Sequence, residues 1–286
     1  MSKVAVVTDS TINIPADLAK PYPLYVVPLQ LIWGDDTYRD NVDITPAEFY
    51  ARLRTAKINP STSQPSPAVF IELYRKLLDQ GYDILSVHIS SKLSGTLASA
   101  IQAKDHFPGA NIELIDSMST SMGVGLPLLY TLRAAAQGAT LKECKNMVEQ
   151  GCANSGVLFA VSTLEFLHRG GRIGGAAAFL GTALNLKPIL ELREGRIEAI
   201  ERVRTMSKAI DRLLDLFEER VNRRYPVWVS ALHVDAANEA RELLDCAIQR
   251  LDKNNVVESN ISEVSPVVGT HAGPGTIGLA YMAGIK

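Results

Sequence analysis

Apolar residues run without a break from Val4 to Thr8 and give way to Asp9-Ser10-Thr11, the pattern of a buried strand that delivers a polar loop. Leu24 to Trp33 is a second β-rich run, stopped by the turn signal Gly34-Asp35-Asp36. Thr45-Pro46-Ala47-Glu48 combines an N-cap, Pro at N1 and Glu at N3, which predicts a helix to about Ala56. Ser66-Pro67 opens another, to about Gln80, and between the two lies a polar loop, Asn59 to Pro65. Asp83 to Ile89 is the next strand, and Ser90-Ser91-Lys92-Leu93-Ser94-Gly95-Thr96 separates it from a helix through about His106. Ile112 to Asp116 is another strand, followed by Ser117 to Thr120 and an apolar helix to about Gln137; Thr140 with Glu143 is a further capping box. This alternation implies a parallel α/β sheet, whose loops beyond the strand C-termini meet at one edge where ligands bind. Three loops rich in Ser and Thr are therefore expected to share a site.

From Gly156 the character changes. A strand (Val157 to Val161) and a helical piece (Leu164 to His168) lead into the small-residue stretch Gly170 to Ala178. Pro188 to Leu192 and Ile197 to Val203 flank a Glu194-Gly195 turn, a predicted hairpin. Helices are expected over Met206 to Arg223 and Ala236 to Leu251, and strands over Val227 to Val234 and Val256 to Val264, before a Gly-rich loop, Gly269 to Gly278. The expected architecture is two α/β domains, residues 1–155 and 156–286, the first with a mainly parallel sheet and the ligand site between them.

Composition narrows the function. With 286 residues, 47% apolar and 21% charged, the chain reads as a soluble globular protein long enough to divide its core in two. The 29 Lys and Arg against 31 Asp and Glu leave a net charge of −2, no field for a phosphate backbone, so nucleic acid is not an expected partner. Three Cys and five His lack the spacing of a metal cluster, and the odd Cys count suits a reducing compartment. The apolar run before Asp9 is too brief for a signal peptide or membrane span, so the expected location is cytoplasmic, without stable membrane insertion. Aromatics are only 6%, leaving an excess of aliphatic and small side chains.

Two segments are suited to an anion. Ser61, Thr62 and Ser63 present adjacent neutral donors, although a Ser/Thr/Pro loop also serves simply to cap the next helix. Ser94-Gly95-Thr96 stands between strand and helix, where N–H groups, the helix dipole and hydroxyls converge; Ser94 also suits an N-cap. Among the histidines, His271 alone sits in a Gly-rich setting that admits a ligand, whereas His88 inside an apolar strand reads as a core residue. Gly170 to Gly175 lacks the Gly-Lys-Ser/Thr ending of a phosphate loop, and no nucleophile elbow is present. Asp9, Asp35, Asp36 and Asp116 near strand ends could hold Mg²⁺, or could be solvated turn residues.

Taken together, Thr8-Asp9-Ser10-Thr11, Pro60-Ser61-Thr62-Ser63-Gln64-Pro65, Ser90 to Thr96, Ile115-Asp116-Ser117, Gly171-Arg172-Ile173, Val203-Arg204-Thr205 and Gly269 to Gly275 occur in the order found in the DegV family. The chain resembles that family over its whole length, and with it the fatty-acid-binding (FakB-like) subunit of bacterial fatty acid kinase. The resemblance implies two α/β domains enclosing a long-chain, palmitate-like fatty acid, with no other cofactor and no metal. A separate ATP-binding kinase subunit would convert the acid to an acyl phosphate. Carried over by position, Thr62 and Ser94 bind the carboxylate with His271 close by. Ser61 and Ser63 are alternates to Thr62, Gly95 and Thr96 complete the second loop, and Arg172 and Arg204 match a kinase-facing rim.

Physical chemistry agrees with such a ligand. A carboxylate leaving water needs several donors, and neutral ones leave its oxygen nucleophilic toward a γ-phosphate. About fifteen tail carbons at ~0.8 kcal/mol each give on the order of 12 kcal/mol before ordering costs. Ala176 to Leu184 and Ile277 to Ala283 are candidate tunnel-lining segments. The competing expectation is a self-sufficient Mg-dependent phosphotransferase or hydrolase of a small molecule, built on the strand-end aspartates.

Overall fold

The computed structural model describes residues 3–181 and 186–285. The first half of the chain runs β1 (Lys3–Asp9), α1 (Ala16–Ala19), β2 (Leu24–Val27), β3 (Gln30–Trp33), β4 (Asp36–Arg39), α2 (Pro46–Leu53) and β5 (Ser61–Ser63). It continues with α3 (Pro67–Asp79), β6 (Tyr82–His88), α4 (Thr96–Lys104), β7 (Ile112–Asp116), α5 (Met122–Ala136) and α6 (Leu141–Ala153). The second half runs β8 (Ser155–Ala160), α7 (Glu165–Arg169), β9 (Lys187–Arg193), β10 (Arg196–Val203) and α8 (Met206–Val221). It closes with β11 (Val227–His233), α9 (Ala237–Leu251), β12 (Val256–Glu263), α10 (Pro266–Ala272) and β13 (Ile277–Ala283).

The architecture is a two-domain α/β fold. One sheet has the order β2-β1-β6-β7 and is wholly parallel. Its central strands β1 and β6 lie between helices on both faces, which is why they read as unbroken apolar runs. The other sheet, β10-β9-β8-β13-β11-β12, is antiparallel except for the β11–β12 pair. Both capping boxes form: Thr45 Oγ1 accepts from Glu48 N, Thr140 Oγ1 from Glu143 N, and each Glu carboxylate accepts from the cap's own N–H. Glu194 and Gly195 both take positive φ, as a two-residue hairpin turn requires.

Four expectations are corrected. The run Leu24 to Trp33 is two strands in two sheets: the chain breaks at Pro28, and Leu29 N turns to Ser10 Oγ at 2.9 Å. The polar loop Asn59 to Pro65 contains β5, which pairs with β3 through Leu31↔Thr62 in the small antiparallel sheet β4-β3-β5. The Gly-rich closing loop begins as helix, because Ser265 caps α10 and Pro266 occupies its first turn. Ile277 to Ala283, expected to line a tunnel, is β13, a fully buried interior strand between β8 and β11.

The largest apolar cluster joins the two halves. Leu31, Trp33, Phe49, Tyr50, Met122 and Leu126 from the first pack with Val157, Phe159, Leu190, Trp228, Leu232 and Val267 from the second. Each half also keeps apolar clusters of its own.

Candidate functional site

Parallel pairing places the loops after β1, β6 and β7 at one edge of the first sheet, and they meet a cavity between the two halves. Its interior volume is about 110 Å³. Thr11 comes from the β1 loop, Ser94 from the β6 loop, Thr120 and Ser121 from the β7 loop, and Thr62, Ser63 and Gln64 from β5 and its exit. The facing wall is largely apolar, with Val157, Phe159, Leu192, Ile197 and Leu232 from the second sheet and Val267 and Val268 from α10.

At one polar corner Thr62 Oγ1 and His271 Nε2 are 2.8 Å apart, joining residues 209 positions apart in sequence. Of the three hydroxyls of β5, Thr62 faces His271, whereas Ser61 is exposed and does not line the cavity. Ser63 lines it beside Thr62. Ser94, expected as an N-cap, stands one residue before that position: Gly95 precedes α4, and Ser94 Oγ accepts from Thr96 N at 3.3 Å. Thr96 is fully buried with its hydroxyl 2.9 Å from that of Ser94, so it orients Ser94 and is itself outside the cavity lining. Gly95 leaves room for Gln64, whose side chain would stand 3.1 Å from a Cβ there.

The second half clamps this loop. Ser90 Oγ donates to Gly195 O at 2.8 Å and Lys92 Nζ to Glu194 O at 2.7 Å, so the tip of the β9–β10 hairpin holds the segment that carries Ser94. Helix α10 is seated in the same way by the first half: Tyr50 Oη donates to Val264 O at 2.6 Å and Asp40 Oδ1 accepts from Val267 N at 3.2 Å. Gly269 is glycine because Tyr50 occupies the space a Cβ would fill.

Burial, with the nearby charge of Arg172 adding to it, pushes the His271 imidazole down to about 4, so the ring is neutral near pH 7. Its Nδ1 is buried without a partner and lies against Gly170. Arg172, expected on a rim, lines the cavity and crosses between the halves, with Nε donating to Leu93 O at 3.0 Å and Nη1 to Gly170 O at 2.6 Å. A cation therefore stands in a wall expected to be neutral, with part of its donor capacity spent on carbonyls. Arg204 is exposed and outside the lining. Of the tunnel candidates, Ala176 packs in the core, no residue of 176–181 lines the cavity, and 182–184 lie outside the described residues. From β13 only Gly278 reaches it, after Thr276.

The strand-end aspartates are dispersed. Asp9 is fully buried, one oxygen accepting from Thr11 N and Oγ1 and the other from Ile89 N. That second oxygen also meets His88, which continues to Ser86 and Tyr74 in a sealed hydrogen-bonded chain away from the cavity lining. Asp35 and Asp36 are exposed at the β3–β4 turn, and Asp116 accepts from the N–H groups of Ser91 and Met118. Among the described residues, no three His, Cys, Asp or Glu side chains are grouped to hold a metal ion, and no helix is long and apolar enough to cross a membrane. Thr11, Thr120 and Ser121 were not singled out individually by sequence; the signal was their place just beyond β1 and β7.

Comparison with known proteins extends this geometry. The family profile described as "Uncharacterised protein, DegV family" matches residues 3–284. A DegV domain-containing protein of Clostridium perfringens is 36% identical over 282 residues, covering 97% of this chain and 98% of the relative. The solved structure described as "Fatty Acid Binding of a DegV family Protein from Thermus thermophilus" superposes with a TM-score of 0.91 at 38% identity, covering 98% of this chain and 99% of that one. A stearic acid-binding protein from Eubacterium ventriosum superposes with a TM-score of 0.90 at 27% identity, covering 100% of this chain and 99% of the other.

Proposed function

The chain belongs to the DegV family, and from that premise we propose that it binds a long-chain fatty acid in the cavity between its halves and presents the carboxylate to a separate ATP-dependent kinase subunit. The observation that carries the reading is the pairing of Thr62 with a neutral, half-buried His271 in a cavity that Ser94 also lines and whose facing wall is largely apolar. Hydroxyl donors hold a carboxylate there without cancelling its charge, and aliphatic walls take the tail. The fatty-acid-binding relatives support the ligand class.

In this reading Thr62 and Ser94 donate to the carboxylate, Ser63 and Gln64 complete the wall, and Gly95 and Thr96 orient Ser94. His271 steadies charge as the oxygen attacks a phosphoryl group supplied by the partner. Arg172 and Arg204 are the candidate contacts for that partner, Arg172 reached through the cavity mouth and Arg204 from outside. The chain works as a carrier in the cytoplasm, with residues 1–155 and 156–286 as its two units.

The test is direct. Protein purified, denatured and extracted should yield close to one fatty acid per chain by mass spectrometry. The loaded protein with a bacterial fatty acid kinase ATPase subunit and Mg-ATP should form acyl phosphate. A chain that neither carries an acid nor takes up palmitate overturns the reading, and calorimetric binding of Mg-ATP by this chain alone would favour the self-sufficient enzyme.

A further inference from the structure

The loop between β7 and α5 presents two hydroxyl residues to the cavity that the carboxylate corner does not use, Thr120 and Ser121. Thr120 Oγ1 and Ser121 Oγ are both buried and both lack a hydrogen-bond partner. Ser121 is 3% exposed and adopts φ 51°, ψ −140° just before α5, a conformation that serine rarely takes. An N-cap hydroxyl ordinarily accepts from the next turn of helix. Here Gly123 N goes to Thr120 O and Val124 N to Ser121 O, so the start of α5 makes no use of either side chain. Ser121 N donates to Thr11 O at 3.1 Å, which fixes the loop against the end of β1.

Two adjacent hydroxyls without partners line a cavity whose walls also include Val157, Phe159, Leu192 and Ile197. Each unsatisfied buried group carries a desolvation penalty, and alanine at 120 and 121 would avoid it. Hydroxyls change staggered wells easily and can donate or accept as the occupant requires. Thr62 is bonded to His271 and Ser94 to Thr96, whereas neither oxygen here has a partner.

We propose that Thr120 and Ser121 form a second polar subsite along the path of the acyl chain, and that it selects a fatty acid carrying a hydroxyl group on its chain. The proposal rests on the fatty-acid reading of the cavity and names the substrate class more closely. A chain hydroxyl satisfies both residues together, donating to one oxygen and accepting from the other. Its position along the acid follows from the span between this loop and the Thr62–His271 pair.

The experiment is competitive binding to the delipidated full-length protein, with stearate and a positional series of monohydroxystearates. One isomer should bind about tenfold tighter than stearate, the size expected of one added buried hydrogen bond. Thr120→Val and Ser121→Ala should each collapse that hydroxy-to-stearate ratio toward one, and stearate binding by the same variants reports that they are folded. A series in which no isomer exceeds stearate overturns the subsite, as does a preference that survives both substitutions. A protein that binds neither stearate nor any isomer overturns the carrier reading and the subsite with it.

Discussion

Replacing Gly170 with alanine should weaken fatty acid binding without altering any group that meets the ligand. Gly170 adopts φ −75°, ψ −7°, ordinary right-handed geometry, so alanine suits the backbone and alone would be neutral or slightly stabilising. The obstacle is the His271 ring: a Cβ at position 170 would stand 2.7 Å from Cε1 and 3.2 Å from Cγ, and closer still to Nδ1. Carbon atoms pack at about 3.5–4.0 Å, so the imidazole must retreat by roughly 1 Å. The Thr62–His271 contact is 2.8 Å long, and a shift of that size takes it beyond hydrogen-bonding range. Losing the bond and leaving its buried groups unsatisfied costs about 2 kcal/mol, roughly 30-fold in Kd. The assay is displacement of a fluorescent fatty acid from wild type, G170A, H271A and the double variant. With the imidazole gone the added methyl meets nothing there, so G170A in the H271A background should cost less than about threefold. Wild-type affinity in G170A, or an equal loss in both backgrounds, refutes the reasoning.

Thr62→Ala and Ser94→Ala should each weaken acid binding by about 1–3 kcal/mol in the same assay, and full affinity in both would misplace the carboxylate. His271→Ala should reduce acyl phosphate formation more than it reduces binding; equal losses would remove its role in transfer. His271 is held neutral down to about 4, so its folded form binds fewer protons than the unfolded chain between about 4 and 6.5. Stability should therefore fall as pH drops through that window, by about 3 kcal/mol relative to His271→Gln in urea titrations, and an unchanged difference counts against it. Asp40 behaves in the opposite sense. Burial chiefly, with Asp9 adding, pushes its carboxyl up to about 7 from 3.8, so the folded state holds the extra proton. Stability is lost as pH rises between those values, by roughly 4 kcal/mol, and Asp40→Asn should be the more stable form at pH 8; a wild type that gains on the variant with rising pH overturns this.

Local signals were legible where their physics is local. The two capping boxes, the apolar runs of β1, β6 and β7 and the Glu194-Gly195 turn all form where the sequence places them. What escaped depends on partners distant in sequence. Nothing in Ser61-Thr62-Ser63 alternates in hydropathy, and it becomes a strand because β3 offers an edge. Gly269 and Gly273 disguised α10 as a loop, yet Gly269 is required by Tyr50, 219 positions away, and Gly273 by a positive φ. The hydroxyl loops could be placed at one sheet edge from topology alone, whereas the Thr62–His271 pairing and the inward course of Arg172 arise from packing the two halves together.

The cavity between the halves has a consequence for the lifetime of the protein. On the fatty-acid reading, its largely apolar lining offers an acyl chain the dispersion contacts that a packed interior gives a core side chain. An acid that enters makes them, acting as a piece of hydrophobic core delivered after synthesis. A ligand at a hundredfold excess over its Kd adds about 2.7 kcal/mol to folding stability. Unfolding-dependent proteolysis of the carrier should then slow by up to about the same hundredfold when acyl chains are plentiful. On the fatty-acid reading, the amount of carrier in a cell follows its cargo through degradation, with no dedicated sensor.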